Sequence, residues 1–129
     1  MPARPGTPRL TTQFDQSYRC TTCDSDNLDP DTDLDQDTWT CSTCHQPVLV
    51  RMDDESGLPA FLVERVPARA LIAGERVLVE TEDGHRRAYR SAEVKASSPA
   101  THARGRWHLA LEQQTAERVD PDRYYNRTL

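Results

Sequence analysis

Four cysteines arranged in two pairs constrain this chain more than any other feature. Cys20 pairs with Cys23 and Cys41 with Cys44, which gives the pattern C-x2-C-x17-C-x2-C. Two such turns can present four sulfurs to one tetrahedral ion, and this spacing is typical of four-thiolate zinc sites. The pattern also uses every cysteine of the chain. It therefore predicts one zinc ion bound by Cys20, Cys23, Cys41 and Cys44.

The composition favours a small protein that is stabilised by such a metal. Only 36% of the 129 residues are hydrophobic, the mean hydropathy is −0.80, and nine prolines interrupt the chain. A core of this size supplies little stability, which a structural metal commonly supplements. No apolar run is long enough to span a membrane, and no signal-peptide core follows Met1. We therefore expect a cytoplasmic protein without a membrane partner, in a compartment where paired thiols favour metal over disulfides.

The charges are divided unevenly along the chain. Residues 1–56 contain four arginines against eleven acids, a balance of −7, whereas residues 57–129 contain twelve basic residues against ten acids, a balance of +2. Four thiolates around a divalent ion would make the first half more negative still. The total of −5 argues against a general polyanion binder.

Segments rich in β-branched and aromatic residues predict a mainly β protein. Short strands are expected at 18–19, 38–40 and 48–50 around the cysteine turns. Longer strands are expected at 60–66, 76–80, 87–94, 107–112 and 118–125, with a hairpin turn at Asp83-Gly84. The predicted organisation is a flexible arm at 1–14, a metal-binding module at 15–52, a linker at 53–59 and a small β-barrel-like domain at 60–129.

Residues 15–52 resemble a zinc ribbon, because an aromatic residue (Tyr18 or Trp39) stands two positions before the first cysteine of each pair. The resemblance implies a closed site with a structural ion. It also implies a place in transcription, translation or nucleic-acid-processing assemblies, often as a protein-docking piece. Residues 70–77 resemble the segment that leads into SH3-like small β-barrels.

Asp24 and His45 directly follow the two cysteine turns, where zinc ribbons often carry glycine. Such a position often requires a positive φ angle, which Asp and His tolerate better than most residues. We therefore interpret His45 as a turn residue and not as a metal ligand.

An acidic segment lies between the cysteine pairs. Its alternating residues are Asp29, Asp31, Asp33, Asp35 and Asp37. A calcium-binding EF-hand loop would need glycine and glutamate at two positions where the chain has Leu34 and Thr40, so calcium is disfavoured. The segment is either a solvated tip or an acidic surface that docks on a basic partner protein or mimics the charge of nucleic acid.

Cationic and aromatic residues between positions 85 and 107 form a second candidate surface. The residues proposed to contact nucleic acid or a partner are Arg86, Arg87, Arg90, Arg106 and Trp107. Guanidinium groups beside aromatic rings suit phosphate contact and base stacking. The alternative is a solvated strand face whose arginines pair with nearby glutamates.

The sequence therefore predicts a non-enzymatic zinc-binding adaptor that docks on a larger intracellular assembly, one that handles nucleic acid. No nucleophile elbow or phosphate-binding glycine loop points to catalysis or to a small-molecule substrate. Two alternatives stay open: a protein that binds nucleic acid directly through its second half, and a rubredoxin-like iron electron carrier.

Overall fold

The computed structural model describes residues 10, 12–54, 59–83 and 86–129, apart from the side chains of residues 82, 83, 86 and 87. The protein is mainly β, as predicted. Its strands are β1 (Asp15–Arg19), β2 (Leu34–Asp35), β3 (Thr40–Cys41), β4 (Leu49–Met52), β5 (Phe61–Pro67), β6 (Arg76–Asp83), β7 (Arg86–Pro99), β8 (Trp107–Leu111), β9 (Glu117–Val119) and β10 (Tyr124–Thr128). One 3-10 turn, Ala68–Ala70, follows β5. Within the described ranges no helix is long and apolar enough to cross a membrane.

Eight strands form one antiparallel sheet in the order β1-β4-β5-β10-β6-β7-β8-β9, and β2 pairs with β3 separately. The pairing of β4 with β5, which sets Val50 opposite Val63, joins the strands on either side of the predicted linker. The β6–β7 hairpin pairs as far as Asp83 and Arg86, as its turn signal predicted. Gly84 and His85 of that turn lie outside the described residues. The division at 53–59 stays a prediction, and a single sheet continues across it.

Both faces of the central strands are buried. On β6, Leu78 packs into a first core cluster with the cysteines, whereas its neighbour Val77 packs into a second cluster. Successive side chains of a strand point to opposite faces, so the sheet separates the two clusters. Val79 packs against the second cluster like Val77, as the period-two alternation of apolar residues along 75–81 predicts. The first cluster combines Trp39 of the cysteine module with Tyr89 of β7, so the module shares its core with the second half of the chain.

The structure corrects several predicted strand boundaries. Trp39 was expected in a strand, but its φ of 56° places it in a turn, and β3 begins only at Thr40. The predicted strand 118–125 is two strands, because a turn with Pro121 separates β9 from β10. β7 continues to Pro99 instead of ending at Val94, since its second part pairs with β8.

The first core cluster also reaches further towards the N-terminus than predicted. Phe14, which the sequence assigned to a flexible arm, is buried and meets Tyr89 edge to face at a ring distance of 5.8 Å. Residues 1–9 and 11 of the predicted arm lie outside the described residues.

A buried ion pair connects β1 to the centre of the sheet. Arg65 on β5 donates to both carboxylate oxygens of Asp15, at 2.6 and 2.7 Å, and its Nε donates to Oδ1 of Asn126 on β10 at 2.8 Å. The side chains of Arg65 and Asp15 are 0% and 3% exposed. The guanidinium also lies 4.3 Å from the centre of the Trp39 ring. Arg65 thus contacts β1, β10 and the cysteine module at once.

Replacing Arg65 with methionine should destabilise the protein strongly. The change keeps most of the side-chain volume but leaves the Asp15 carboxylate buried without its cation, which typically costs about 3–5 kcal/mol. The measurement is urea unfolding of the metal-loaded protein, followed by circular dichroism.

The matched control is Arg69→Met. Arg69 also pairs with an aspartate, Asp122 at 3.0 Å, but the two side chains are 54% and 39% exposed. Exposed pairs contribute below about 1 kcal/mol. Equal losses for the two variants would show that the buried pair does not hold the sheet together.

Candidate metal centre

The four cysteines converge on one point. Their Sγ atoms all lie within 4.8 Å of one another, with Cys20 and Cys44 at 3.4 Å and Cys23 and Cys41 at 4.0 Å. Tetrahedral coordination with metal–sulfur bonds of about 2.3 Å sets the sulfurs about 3.8 Å apart. A disulfide requires about 2.05 Å. The cluster therefore suits four thiolate ligands around one ion and not two disulfides.

Each C-x-x-C turn is shaped to aim its sulfurs at the same point. The backbone N–H of Cys23 donates to Sγ of Cys20 at 3.3 Å, and that of Thr43 donates to Sγ of Cys41 at 3.4 Å. Asp24 and His45, the residues after the turns, have φ angles of 51° and 60°. The sequence-based interpretation of both as left-handed turn residues is confirmed.

The hydrogen bonds of the turns and the proximity of the sulfurs to one another shift the pKa values of the thiols in opposite directions. Backbone N–H groups of Cys44 and Thr43 lower the pKa of Cys41 to about 6. Hydrogen bonds with Cys44 and Cys20 raise the pKa of Cys23 to about 12, and burial raises the pKa of Cys20. A divalent cation among the sulfurs would favour the thiolate form of all four, because metal binding displaces thiol protons.

Aromatic residues cover the buried side of the cluster. Cys20 and Cys41 are 0% and 3% exposed, whereas Cys23 and Cys44 are half-buried. Trp39 is itself buried and stacks on Tyr18, with ring centres 6.1 Å apart. Burial raises the pKa of Tyr18, and the hydrogen bond that its hydroxyl donates to Asp15 raises the pKa further. The four sulfurs thus face one another within a protein-lined site, an arrangement that suits a structural ion.

The acidic segment is a tight turn attached to the second cysteine pair. The β2–β3 pairing places Leu34 opposite Cys41, and the N–H of Ser42 donates to the carbonyl of Asp33 at 3.0 Å. Three carboxylates accept backbone N–H groups inside the segment, those of Asp29, Asp33 and Asp35. Part of the alternating aspartate pattern therefore has a structural reason, since aspartates stabilise turns in this way. All five predicted aspartates except the half-buried Asp37 are exposed.

The structure distributes the cationic candidates over the length of β7. Arg90 pairs with Val79 near one end, and Trp107 pairs with Pro99 at the other. The nine residue steps from Arg90 to Pro99 correspond to about 30 Å of straight extended chain. The indole of Trp107 packs on the second core cluster and donates to Ser97 at 2.8 Å, while Arg106 is exposed and donates to the carbonyl of Arg118. The side chains of Arg86 and Arg87 lie outside the described residues.

Sequence reasoning missed the residues that hold the module against the sheet, Arg65, Asp15 and Asn126. The sequence did contain one indication of this role. Arg65 lies two positions after Val63 on β5, so its side chain points to the same buried face of the sheet. A charge at a buried strand position indicates a buried partner. The identity of that partner, 50 residues away in the sequence, could not be read from the pattern.

Replacing Cys20 with serine should abolish metal binding and unfold more than the module. Cys20 and Cys41 belong to the same core cluster as Val63 and Leu78, and metal-binding energy is folding energy in such sites. We expect the bound metal to fall from one ion per chain to none by elemental analysis, with amide signals lost in both 15–52 and β5–β6. Thr22→Ala, in the same turn, is the control and should retain the metal. A serine variant that kept its metal would contradict the four-thiolate assignment.

Replacing His45 with glycine should leave metal content unchanged and stability equal or higher. At a φ of 60° glycine lacks the steric penalty of other residues. His45→Val should instead cost about 1–2 kcal/mol, because a β-branched residue is strained in this conformation. Metal analysis and urea unfolding of both variants test this. Loss of metal in the glycine variant would make His45 a ligand after all.

Searches against family models, curated proteins and solved structures gave no match for this chain. The functional assignment therefore depends on the chemistry of its own residues, and the cysteine cluster is the most specific chemistry that they provide. That cluster marks the chain as a candidate metal-binding protein of mainly β fold.

Proposed function

We propose that this chain is a non-enzymatic zinc-binding adaptor whose acidic segment docks on a basic surface of a partner protein, within an assembly that handles nucleic acid. The observation that carries the proposal is the convergence of four cysteine sulfurs in one half-buried cluster. Four protein thiolates fill a tetrahedral coordination sphere, so an ion there has no free position for a substrate. Such an ion would serve structure rather than catalysis.

Zinc is the metal that best suits these ligands and their surroundings. Tetrahedral thiolate sites select zinc or iron. The residues inside and after the turns are polar, namely Thr21, Thr22, Ser42, Thr43 and the charged Asp24, and several of them are exposed. Electron-transfer iron sites usually have small apolar residues there. We therefore assign the ion as zinc, and a red protein that bleaches on reduction would assign it as iron instead.

The acidic segment supports the docking role through its position. The β2–β3 pairing and the Ser42 hydrogen bond attach it to the second cysteine turn, so the metal that fixes this turn also fixes the segment. The exposed carboxylates form a dense negative surface, which attracts cationic partners and repels nucleic acid. Docking should therefore require both the carboxylates and the metal.

The test is a variant that neutralises Asp29, Asp31, Asp33, Asp35 and Asp37 by replacement with asparagine. Asparagine keeps a side-chain oxygen that can accept the internal N–H bonds of the segment, so the turn should survive while the charge is removed. We expect affinity purification with the zinc-loaded wild type to retain a partner that is lost with the asparagine variant and also after zinc chelation. A partner retained equally by all three preparations would refute the proposal.

A second experiment tests whether the protein binds nucleic acid directly. Fluorescence anisotropy with labelled single-stranded and duplex oligonucleotides at 0.15 M salt should show no binding by the wild type, since long-range repulsion from the acidic half opposes it. If the wild type bound an oligonucleotide and either Arg90→Glu or Arg106→Glu abolished that binding, the protein would be a nucleic-acid-binding protein and not an adaptor.

A further inference from the structure

The hairpin of β7 and β8 includes a stretch of 18 residues without an acidic side chain. Between Glu93 and Glu112, residues 94–111 carry one lysine, two arginines and two histidines. The lysine, Lys95, pairs with Glu93 at 3.0 Å near the base of the hairpin. The positive charge of the far end therefore comes from Arg104 and Arg106.

A tight turn holds these two arginines at the end of the hairpin. The N–H of Arg106 donates to the carbonyl of Ala103 at 3.0 Å, and the N–H of Ala100 donates to the carbonyl of Arg106 at 3.1 Å. Gly105, the third residue of the turn, has a φ of 76°, which glycine adopts without strain. Arg104 and Arg106 are both exposed, so the backbone of the turn presents two cations to solvent.

The edge strand β9 adds a third arginine to the same end of the sheet. Arg118 pairs with His108 of β8, which pairs in turn with Ser98 of β7. Because Leu109 belongs to the second core cluster and side chains alternate along a strand, this row points away from that cluster. Nη2 of Arg106 donates to the carbonyl of Arg118 at 3.1 Å, which brings the turn and β9 together. We call the resulting surface the basic face, and its members are Ser98, Arg104, Arg106, His108 and Arg118.

The arginines of the basic face have no carboxylate of their own. Within the part of the chain that the structure describes, none of the three forms an ion pair. Glu117 neighbours Arg118 on β9 and so points to the opposite face, and the carboxylate of Asp120 accepts the N–H of Asp122 at 2.9 Å. β9 is the last strand of the sheet, so no strand of the described chain covers Arg118. Exposed guanidinium groups of this kind suit carboxylates and phosphates, which they bind through parallel N–H donors.

The other side chains of this surface favour an acidic peptide over nucleic acid. Single-stranded nucleic acid is bound by aromatic rings on which its bases stack. Trp107 does not offer such a ring here, because it packs on the second core cluster, on the other side of β8 from His108. Beside the row of Ser98 and His108, Ala96 pairs with Ala110 on the same face. These small side chains leave a flat strip on which an extended peptide can lie.

We propose that the basic face binds a short, extended segment of a second partner protein, rich in aspartate or glutamate. The proposal rests on the adaptor role and deepens it, because an adaptor joins two partners and the acidic segment contacts only one of them. The acidic segment belongs to the cysteine module and the basic face to β7, β8 and β9, so the two contacts share no residues. Opposite charges on the two surfaces would direct each partner to its own site.

The first experiment titrates the zinc-loaded, full-length protein with an acetylated and amidated octapeptide of glutamate at 0.15 M salt and follows the ¹H–¹⁵N spectrum. The octapeptide of glutamine is the control ligand, because it has nearly the same shape without the charge. We expect saturable shifts at residues 98–108 and 117–119 with the glutamate peptide and at least about fivefold weaker binding of the glutamine peptide. Equal affinities, or shifts that do not include these residues, would overturn the proposal.

Variants then separate the basic face from general charge. Arg118→Gln should weaken binding of the glutamate peptide about twofold to fivefold, as expected for the loss of one exposed ion pair. The matched control is Arg76→Gln, which removes the same charge from an exposed arginine that already pairs with Glu112 at 3.3 Å. It should leave the affinity unchanged. Equal losses in the two variants would show that only the net charge matters, and would refute the basic face as a site.

Two other occupants of the basic face would also overturn the proposal. If octathymidylate bound at the same salt as tightly as the glutamate peptide, and Arg118→Gln weakened both, the face would be a phosphate site for nucleic acid. If the zinc-loaded wild type associated with itself in sedimentation velocity, and both Arg118→Gln and the five-asparagine variant abolished the association, the occupant would be the acidic segment of a second copy.

The basic face and the adaptor role can fail separately. If retention of the basic partner requires the five aspartates but the glutamate peptide does not bind, the basic-face proposal is refuted and the adaptor role stands. If the glutamate peptide binds through Arg118 but partner retention does not depend on the aspartates, the adaptor role is refuted in the form proposed above.

Discussion

The buried pair of Arg65 and Asp15 is the interaction on which the arrangement of this protein depends. A fully buried guanidinium is tolerable only when its charge and its donors are satisfied. Here Asp15 neutralises the charge, Asn126 accepts from Nε, and Trp39 covers the flat face of the group. These partners come from β1, β10 and the turn before the second cysteine pair. The pair therefore joins the cysteine module to the sheet through one buried guanidinium.

This connection makes the metal site part of the main core. Cys20 and Cys41 lie in one cluster with Val63, Leu78 and Tyr89, from strands far away in the sequence. An ion held by the four cysteines would thus stabilise the sheet as well as the two turns.

The sequence predicted the local features well. The cysteine cluster, the left-handed turn residues Asp24 and His45 and the alternation along β6 all follow from spacing, side-chain type and period. Each of these depends on residues close in the sequence or on a ligand geometry that the spacing itself imposes. Strand ends were less accurate, because pairing with β8 extends β7 and a turn with Pro121 divides the last predicted strand. Strand length is decided by the neighbouring strand, which local propensity does not include.

By itself the sequence determined a mainly β chain with one four-cysteine site, because thiol spacing and β-branched alternation act over a few residues. Only the tertiary structure decided that the module and the second half share a core and that Arg65 is buried between them. These features arise from contacts between residues about 50 or more positions apart. Their partners are selected by the packing of the whole chain, and so no local pattern could indicate them.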